Sequence, residues 1–195
     1  MKKVILLLAA GFIGLSAMAQ TKTAAKTTTF GIRAGVNLST FGGDDADDVK
    51  SKIGLNAGVY ANILISNGFS IQPELAYSQL GCKFEDGGDI RYALDYITLP
   101  VLAKYDFSNS GFSLYAGPQI GFLATAKIKD DNDSEDVKDS FKSTDFAGIL
   151  GAQYLIPSTK FGLTLRYQFG LSNIVDEDNV DLKNNAATLG VFYNF

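Results

Sequence analysis

The chain has 195 residues, of which 17 are basic and 21 acidic, with no histidine and one cysteine, Cys82. A net negative charge disfavours nucleic acid as a partner, because phosphates bind cationic surfaces. The absence of histidine excludes Ser-His-Asp and Cys-His catalysis, and a single cysteine excludes an intrachain disulfide. We therefore expect a protein that is not an enzyme and carries no cofactor.

The N-terminus has the pattern of a cleaved signal peptide. Two lysines precede an uncharged apolar run over 4–15, and Ala17-Met18-Ala19 follows as a small-residue cleavage site. The apolar run is shorter than the roughly 20 residues that a membrane-spanning helix needs. We predict a signal peptide over 1–19, a flexible polar leader over 20–29 and one folded domain over 30–195.

The predicted domain is dominated by alternation of apolar and polar residues, which is typical of β-strands with two unlike faces. Eight segments are predicted to be strands: residues 30–39, 53–65, 69–78, 97–107, 112–122, 144–155, 161–171 and 186–195. Most exceed the 5 or 6 residues typical of globular strands by about twofold. They reach the roughly 9 to 11 residues that a tilted transmembrane strand needs.

The connections between these strands alternate in length and charge. Three connections are short: 66–68, 108–111 and 157–160. Four are long and polar: 41–52, 83–92, 127–143 and 174–184. The long connections hold 17 of the 21 acidic residues, and the short ones hold none. Short turns at one end and long loops at the other are typical of outer-membrane barrels. The fold class predicted is therefore all-β, a closed eight-stranded antiparallel up-and-down transmembrane β-barrel.

The two faces of the predicted strands suit a bilayer outside and a filled interior inside. An open sheet would leave unpaired backbone groups in hydrocarbon, so the first strand must pair with the last. Glycine and serine at inward positions would make room for large polar residues: Arg33, Tyr60, Glu74, Lys104, Tyr115, Gln119 and Arg166. We expect Glu74 to pair with Arg33 or Arg166, because an unpaired buried charge is costly. Aromatic residues near strand ends fit an interfacial girdle: Phe30, Phe69, Tyr105, Phe107, Phe112, Phe161, Tyr193 and Phe195.

Two features do not fit a simple pattern. In residues 144–155 both alternating sets are apolar, so the inward face of that strand is left open. Pro73, Pro100 and Pro118 lie inside predicted strands, although proline lacks the N–H that a ladder uses.

Several segments resemble the porin-like, PorT-type outer-membrane β-barrel family of Gram-negative bacteria. They are FGIRAGVNLS at 30–39, YITLPVLAKY at 96–105, YAGP at 115–118, LRYQFGL at 165–171 and FYNF at 192–195. The resemblance implies a cell outer-membrane location and this fold, but no single activity. It also implies that the C-terminal Phe195 is read by the barrel-assembly machinery.

The third long loop carries a dense run of oxygen ligands that makes it a metal-site candidate. Its residues are Asp130, Asp131, Asp133, Glu135 and Asp136. The run lacks the turn glycine of a calcium-binding loop, and the alternative is a solvated loop held open by its own charge. Divalent cations could also bridge such acidic loops to lipopolysaccharide head groups. Cys82 has no activating base beyond Lys83 and is predicted to be an inert thiol.

Four functions remain as hypotheses. The first is a structural or interaction role, in which acidic surface loops contact cations, lipid head groups or a partner protein. The second is a narrow pore or a component of an outer-membrane transport or secretion complex, and the third is an outer-leaflet enzyme. The fourth is a secreted lipocalin-like barrel, whose apolar face would point inward to a small ligand.

Overall fold

The computed structural model describes residues 28–43, 49–84, 90–108, 110–129, 134–177 and 180–195. The predicted signal peptide and most of the predicted leader lie outside these residues. Within the part that is described, no helix has the length and apolar character needed to cross a membrane.

The described residues form nine strands and one short 3-10 turn, Lys138–Ser140. The strands are β1 Thr28–Gly42, β2 Lys50–Ser66, β3 Phe69–Phe84, β4 Ile90–Asp106, β5 Phe112–Lys129, β6 Ser134–Asp136, β7 Thr144–Leu155, β8 Phe161–Gly170 and β9 Lys183–Asn194. Eight of them are long, and β6 is a three-residue strand in the third long loop that pairs with β5.

The eight long strands close into a barrel. Neighbours along the chain pair antiparallel, and β1 pairs with β9 in a continuous register from Gly31↔Asn194 to Gly42↔Lys183. The order of paired strands runs from β4 through β3, β2, β1, β9, β8 and β7 to β5, and β5 also pairs with β4, which closes the barrel. The predicted closed eight-stranded fold is confirmed, and every transmembrane strand has two partners as hydrocarbon requires.

The outer wall carries a continuous apolar surface, which we name the apolar belt. Its exposed members include Ile32, Val36, Leu38, Leu55, Val59, Val101, Leu114, Phe122, Phe146, Leu150, Leu163, Leu165, Tyr167, Leu189 and Val191. Soluble monomers rarely expose contiguous apolar patches of this size, so acyl chains must cover it. The lipocalin-like hypothesis required the apolar face to point inward, and the barrel has the opposite arrangement.

The predicted aromatic girdle forms at the end with the short turns. Phe161 and Tyr193 lie with ring centroids 4.7 Å apart, and Tyr193 and Phe195 lie 5.6 Å apart. Tyr105, Phe107 and Phe112 form a second row of contacts around the next turn. Two of the short turns use left-handed glycines, Gly68 and Gly111, with φ of 75° and 71°.

The structure decides the phase of the sixth predicted strand, which is β7. Asp145, Ala147 and Ile149 point inward and are buried, whereas Phe146 and Leu150 face outward. Ile149 packs inside against Leu102 and Tyr115. The sequence did not decide the inward face of this strand, because isoleucine fits both an apolar cluster in the barrel interior and the lipid outside.

The three prolines do lie inside strands. Pairing between β3 and β4 is interrupted after Pro73, and pairing between β4 and β5 is interrupted after Pro100. Pro118 keeps its register opposite Gly148 of β7. A proline cannot donate to the ladder, and these local interruptions accommodate that without breaking the barrel.

Two predicted loops are shorter than expected because the strands extend beyond the apolar belt. β4 begins at Ile90 and β5 ends at Lys129, inside the predicted loops 83–92 and 127–143. The outward residues of these extensions are polar or small, as Asp95, Lys127 and Ala93 show. Apolar alternation therefore ends before the backbone pairing does.

Candidate functional site

The barrel interior contains a buried ion network on three different strands. Glu74 of β3 accepts hydrogen bonds from Arg33 Nε at 2.9 Å and from Arg166 Nη1 and Nη2 at 3.0 and 3.2 Å. The side chains of both arginines are 3% exposed and that of Glu74 is 0% exposed. The predicted pairing of Glu74 is confirmed, and the carboxylate bonds both candidate arginines instead of one.

Neutral polar residues extend this network across the barrel. Asn56 accepts a hydrogen bond from Arg33 and donates to Ser78 at 3.1 Å, and Ser78 also accepts from Asn37 at 2.9 Å. Thr188 of β9 completes the chain by donating to Asn37 at 2.7 Å. These cross-barrel contacts fill the lumen with side chains, as an eight-stranded barrel is expected to do.

Tyr115 occupies the lumen beside this network. Its ring lies under the Arg166 guanidinium, 5.2 Å from the Arg166 Cζ atom to the ring centroid, a cation–π distance. Its hydroxyl lies 2.8 Å from the Thr164 hydroxyl. Gly151 leaves the space that the ring fills, since a Cβ there would lie 2.4 Å from Tyr115 Cζ.

Toward the long loops the interior becomes apolar. The inward residues of β3 show the change, from Glu74 through Ser78 to Leu80 and Cys82. A buried cluster fills this end: Phe41, Leu80, Cys82, Leu94, Tyr96, Leu123, Ala126, Phe141, Ile174 and Ala186. Cys82 is 0% exposed there, which supports the prediction that its thiol is inert. The lumen therefore contains a charged layer and, nearer the long loops, an apolar layer.

A cavity of about 530 Å³ opens above the apolar cluster at the loop end, and we name it the loop-end cavity. Its apolar walls come from Phe41, Val49, Phe84, Tyr92, Ile128, Val137, Phe141, Val175, Val180 and Leu182. The Tyr92 ring lies at the centre of its aromatic wall, with edge contacts to Phe41, Phe84 and Phe141 at centroid distances of 5.7 to 6.3 Å.

Three carboxylates line the same cavity, and we name them the acidic rim. They are Asp139, Asp176 and Glu177, all exposed. Two loops are joined at this point, because Phe141 pairs with Val175 and Asp176 N donates to Ser140 O at 3.4 Å. The rim is thus held next to the apolar wall by backbone pairing between the third and fourth long loops.

The predicted metal candidates are not brought together as a site by the described residues. Glu135 and Asp136 lie in β6 and are exposed, and Asp136 Oδ1 accepts the backbone N–H of Lys138 at 3.0 Å. Asp130, Asp131 and Asp133 lie outside the described residues. Across the positions that the structure does describe, no group of three potential metal-ligating side chains is found. Cation binding by this run stays a prediction.

Sequence reasoning missed the loop-end cavity. The signal available was the presence of apolar residues inside polar loops, at Val137, Phe141, Val175 and Leu182. Apolar side chains in a surface loop are favoured when they pack against another apolar surface of the protein. Their spacing is irregular, so periodicity did not select them.

A closed barrel of eight long antiparallel strands, with an apolar outer wall, an aromatic girdle and long loops at one end, defines an outer-membrane β-barrel protein. The sequence matches the family described as outer membrane protein beta-barrel domain over residues 18–176. The chain belongs to this family, and its location is the outer membrane. In proteins of this class the long loops face the cell exterior and the short turns face the periplasm, and we expect the same orientation here.

Solved outer-membrane proteins share the fold. Neisserial surface protein A (NspA) superposes with a TM-score of 0.57 at 14% identity, covering 87% of this chain and 99% of the other. Ail, the attachment invasion locus protein of Yersinia pestis, superposes with a TM-score of 0.54 at 23% identity, covering 86% and 98%. A second Ail structure, with the heparin analogue sucrose octasulfate, has a TM-score of 0.52 at 21% identity, covering 86% and 99%. No curated protein sequence matches the chain.

Proposed function

We propose that this protein is a non-conducting surface receptor of the outer membrane, whose loop end binds a ligand that is both apolar and positively charged. The observation that carries the proposal is the loop-end cavity with its acidic rim. An apolar wall recognises an aromatic or aliphatic group, and three adjacent carboxylates favour a cation beside it. The proposal is a specific form of the interaction role expected for the acidic loops: it names the loop-end cavity as the binding site and an apolar cation as the ligand class.

The negative charge of the loop end argues against the type of ligand that one structural neighbour binds. Ail was crystallised with sucrose octasulfate, a polyanion. In this chain Asp139, Asp176 and Glu177 would repel such a ligand from the cavity. The proposal therefore names a cationic ligand, such as a peptide with lysine or arginine next to an aromatic side chain. It assigns the protein no catalytic step.

Binding of a cationic amphipathic peptide tests the proposal. The probe is a fluorescent peptide with lysines flanking phenylalanines, titrated into the folded protein in micelles. We expect saturable binding that weakens with salt, and a loss of about 3- to 150-fold in affinity for D139N/D176N/E177Q, because exposed ion pairs contribute roughly 0.2 to 1 kcal/mol each. The control variant is E135Q/D136N, which removes two exposed carboxylates outside the cavity lining. Equal losses in both variants would contradict a specific site.

The non-conducting part of the proposal rests on the filled lumen. The Arg33–Glu74–Arg166 network and the apolar cluster occupy the interior at two levels. We expect no steady conductance when the purified protein is inserted in a planar bilayer. Stable openings of nanosiemens size would contradict this and favour the narrow-pore hypothesis.

A further inference from the structure

A row of basic residues crosses three neighbouring strands at the loop end. The register places Lys50 of β2 opposite Lys83 of β3, and Lys83 opposite Arg91 of β4. Directly opposed residues of an antiparallel pair share one face of the sheet. The three positions therefore form one line, which we name the basic row.

The basic row lies on the outer wall of the barrel. Cys82 and Tyr92, which alternate with Lys83 and Arg91, belong to or pack against the buried interior cluster, so Lys83 and Arg91 face outward. Lys50 is exposed and pairs with Lys83. The row is thus on the opposite side of the wall from the loop-end cavity and its acidic rim.

The register also fixes how far the basic row lies from the apolar belt. The belt ends on these strands at the opposed residues Tyr77, Ile97 and Phe122. From there toward the loop end, outward-facing positions recur every two residues along each strand. The first line contains the polar residues Gln79, Asp95 and Thr125, and the second contains Lys127. The third line is the basic row. At about 3.4 Å per residue the row lies about 20 Å along the strands from the belt. With a strand tilt of about 40° this is about 15 Å above the acyl chains.

A surface groove of about 380 Å³ occupies the interval between belt and row. It is lined by Lys52, Gln79, Arg91, Ala93, Asp95, Thr125 and Lys127. Three of these residues are cations and one, Asp95, is an anion that already accepts a hydrogen bond from Thr125 at 3.0 Å. Lys52 Nζ is held at the groove by donating to the Leu80 carbonyl at 3.2 Å.

Like charges placed directly opposite each other destabilise a sheet, so an anionic group beside this row of three cations would stabilise it. Lys50, Lys52 and Arg91 each have an interaction within the chain, yet the groove lining carries an excess of positive charge. Lysine and arginine near a membrane extend their charged ends along the wall toward the head groups. At this height the molecules beside an outer-membrane barrel are those of the outer leaflet.

We infer that the outer wall of β2–β5 binds a phosphorylated glycolipid of the outer leaflet, the lipid anchor of lipopolysaccharide. Its phosphates would contact the basic row and the groove cations directly, and its acyl chains would lie on the apolar belt below. This site is separate from the loop-end cavity and does not depend on the function proposed for it. It also differs from cation-bridged contact with acidic loops, because no divalent ion is needed.

The test measures lipid retention by the folded full chain. The protein is reconstituted in phosphatidylcholine vesicles with either the bis-phosphorylated lipid anchor of lipopolysaccharide or its dephosphorylated form. It is then extracted in mild detergent, and bound lipid is counted by native mass spectrometry. We expect preferential retention of the phosphorylated form, with about fivefold weaker binding per cation removed. The triple variant K83Q/R91Q/K127Q should therefore bind about a hundredfold more weakly.

The matched control is K138Q/K142Q/K160Q, which removes the same charge from positions outside the groove lining and should retain lipid like the parent. If the triple variant fails to show the heat-modifiable migration of a folded barrel, the single variants R91Q and K127Q replace it, each with about a fivefold loss expected. Retention should persist in EDTA, and inorganic phosphate at millimolar concentration should not displace the lipid. Equal retention of both lipid forms, an unchanged groove variant, or loss of binding in EDTA would each overturn the assignment.

Discussion

At the residue scale, Glu74 is the side chain on which the interior depends most. It is the one carboxylate among the described residues that contacts both Arg33 and Arg166, and Gln72 Nε2 also donates to it at 2.8 Å. Two guanidinium groups buried in the same lumen would repel each other without it. The three residues come from β1, β3 and β8, so the ion network also fixes distant parts of the barrel wall.

Replacing Glu74 by glutamine should destabilise the barrel by about 3–5 kcal/mol, because it leaves two buried charges without their counter-charge. The free energy of unfolding in urea, measured in micelles with a heat-modifiability gel, checks this. E135Q serves as the control, since Glu135 is exposed in β6. The combined variant R33M/E74L/R166M removes all three charges and should recover most of the lost stability. An E74Q barrel as stable as the parent would contradict the account.

Small inward residues explain how the lumen holds such large side chains. A Cβ at Gly31 would lie 2.2 Å from Tyr60 Cζ, and one at Gly151 would lie 2.4 Å from Tyr115 Cζ. Each glycine lies beside the tyrosine ring that occupies its space. The prediction that inward glycines make room for Tyr60 and Tyr115 is confirmed at these two positions.

At the scale of elements, closure depends on the pairing of β1 with β9. The last residue takes part in it, since Phe195 N donates to Phe30 O at 2.9 Å and the Phe195 ring contacts Tyr193. The contact is one hydrogen bond and one ring pair at the end of a long ladder. It therefore contributes little to the stability of the finished barrel.

Deletion of Phe195 should separate assembly in the cell from stability of the fold. We expect a marked loss of folded protein in the outer membrane, because the C-terminal aromatic is the predicted signal for the barrel-assembly machinery. The purified variant should refold in detergent with a urea midpoint close to that of the parent. Fractionation of cells and refolding in vitro give the two readouts. A parallel loss in both would show that Phe195 acts through stability instead of recognition.

At the scale of the whole molecule, charge is sorted between the two sides of the wall at the cell surface. Carboxylates line the loop-end cavity, and lysines and arginine line the outer wall of β2–β5. We therefore expect the two signs to contact different neighbours. The loops would contact ligands in the medium, and the wall would contact the head groups of the surrounding lipid.

Cysteine labelling in intact cells should show this orientation. Ser140 lies at the loop end and Asn67 in a short turn, and both are exposed. A membrane-impermeant maleimide should label S140C in intact cells and N67C only after the outer membrane is permeabilised. The native Cys82 is fully buried and should not react in the folded protein. Labelling of N67C in intact cells would reverse the assigned topology.

The sequence by itself determined the number of barrel strands, the closed barrel, the lipid-facing side of most strands and the need for an arginine partner at Glu74. These follow from local rules, because an alternating strand in lipid has one permitted face and every backbone group in hydrocarbon needs a partner. Local rules also gave the division into long acidic loops and short turns.

Only the tertiary structure decided which face of β7 points inward, how far β4 and β5 extend beyond the membrane, and that both arginines share Glu74. It alone brought Asp139, Asp176 and Glu177 to one cavity and aligned Lys50, Lys83 and Arg91 across three strands. The physical reason is that these groupings depend on strand register and loop contact, which join residues far apart in sequence. A periodicity of two specifies a face, but it does not specify the neighbour across the strand.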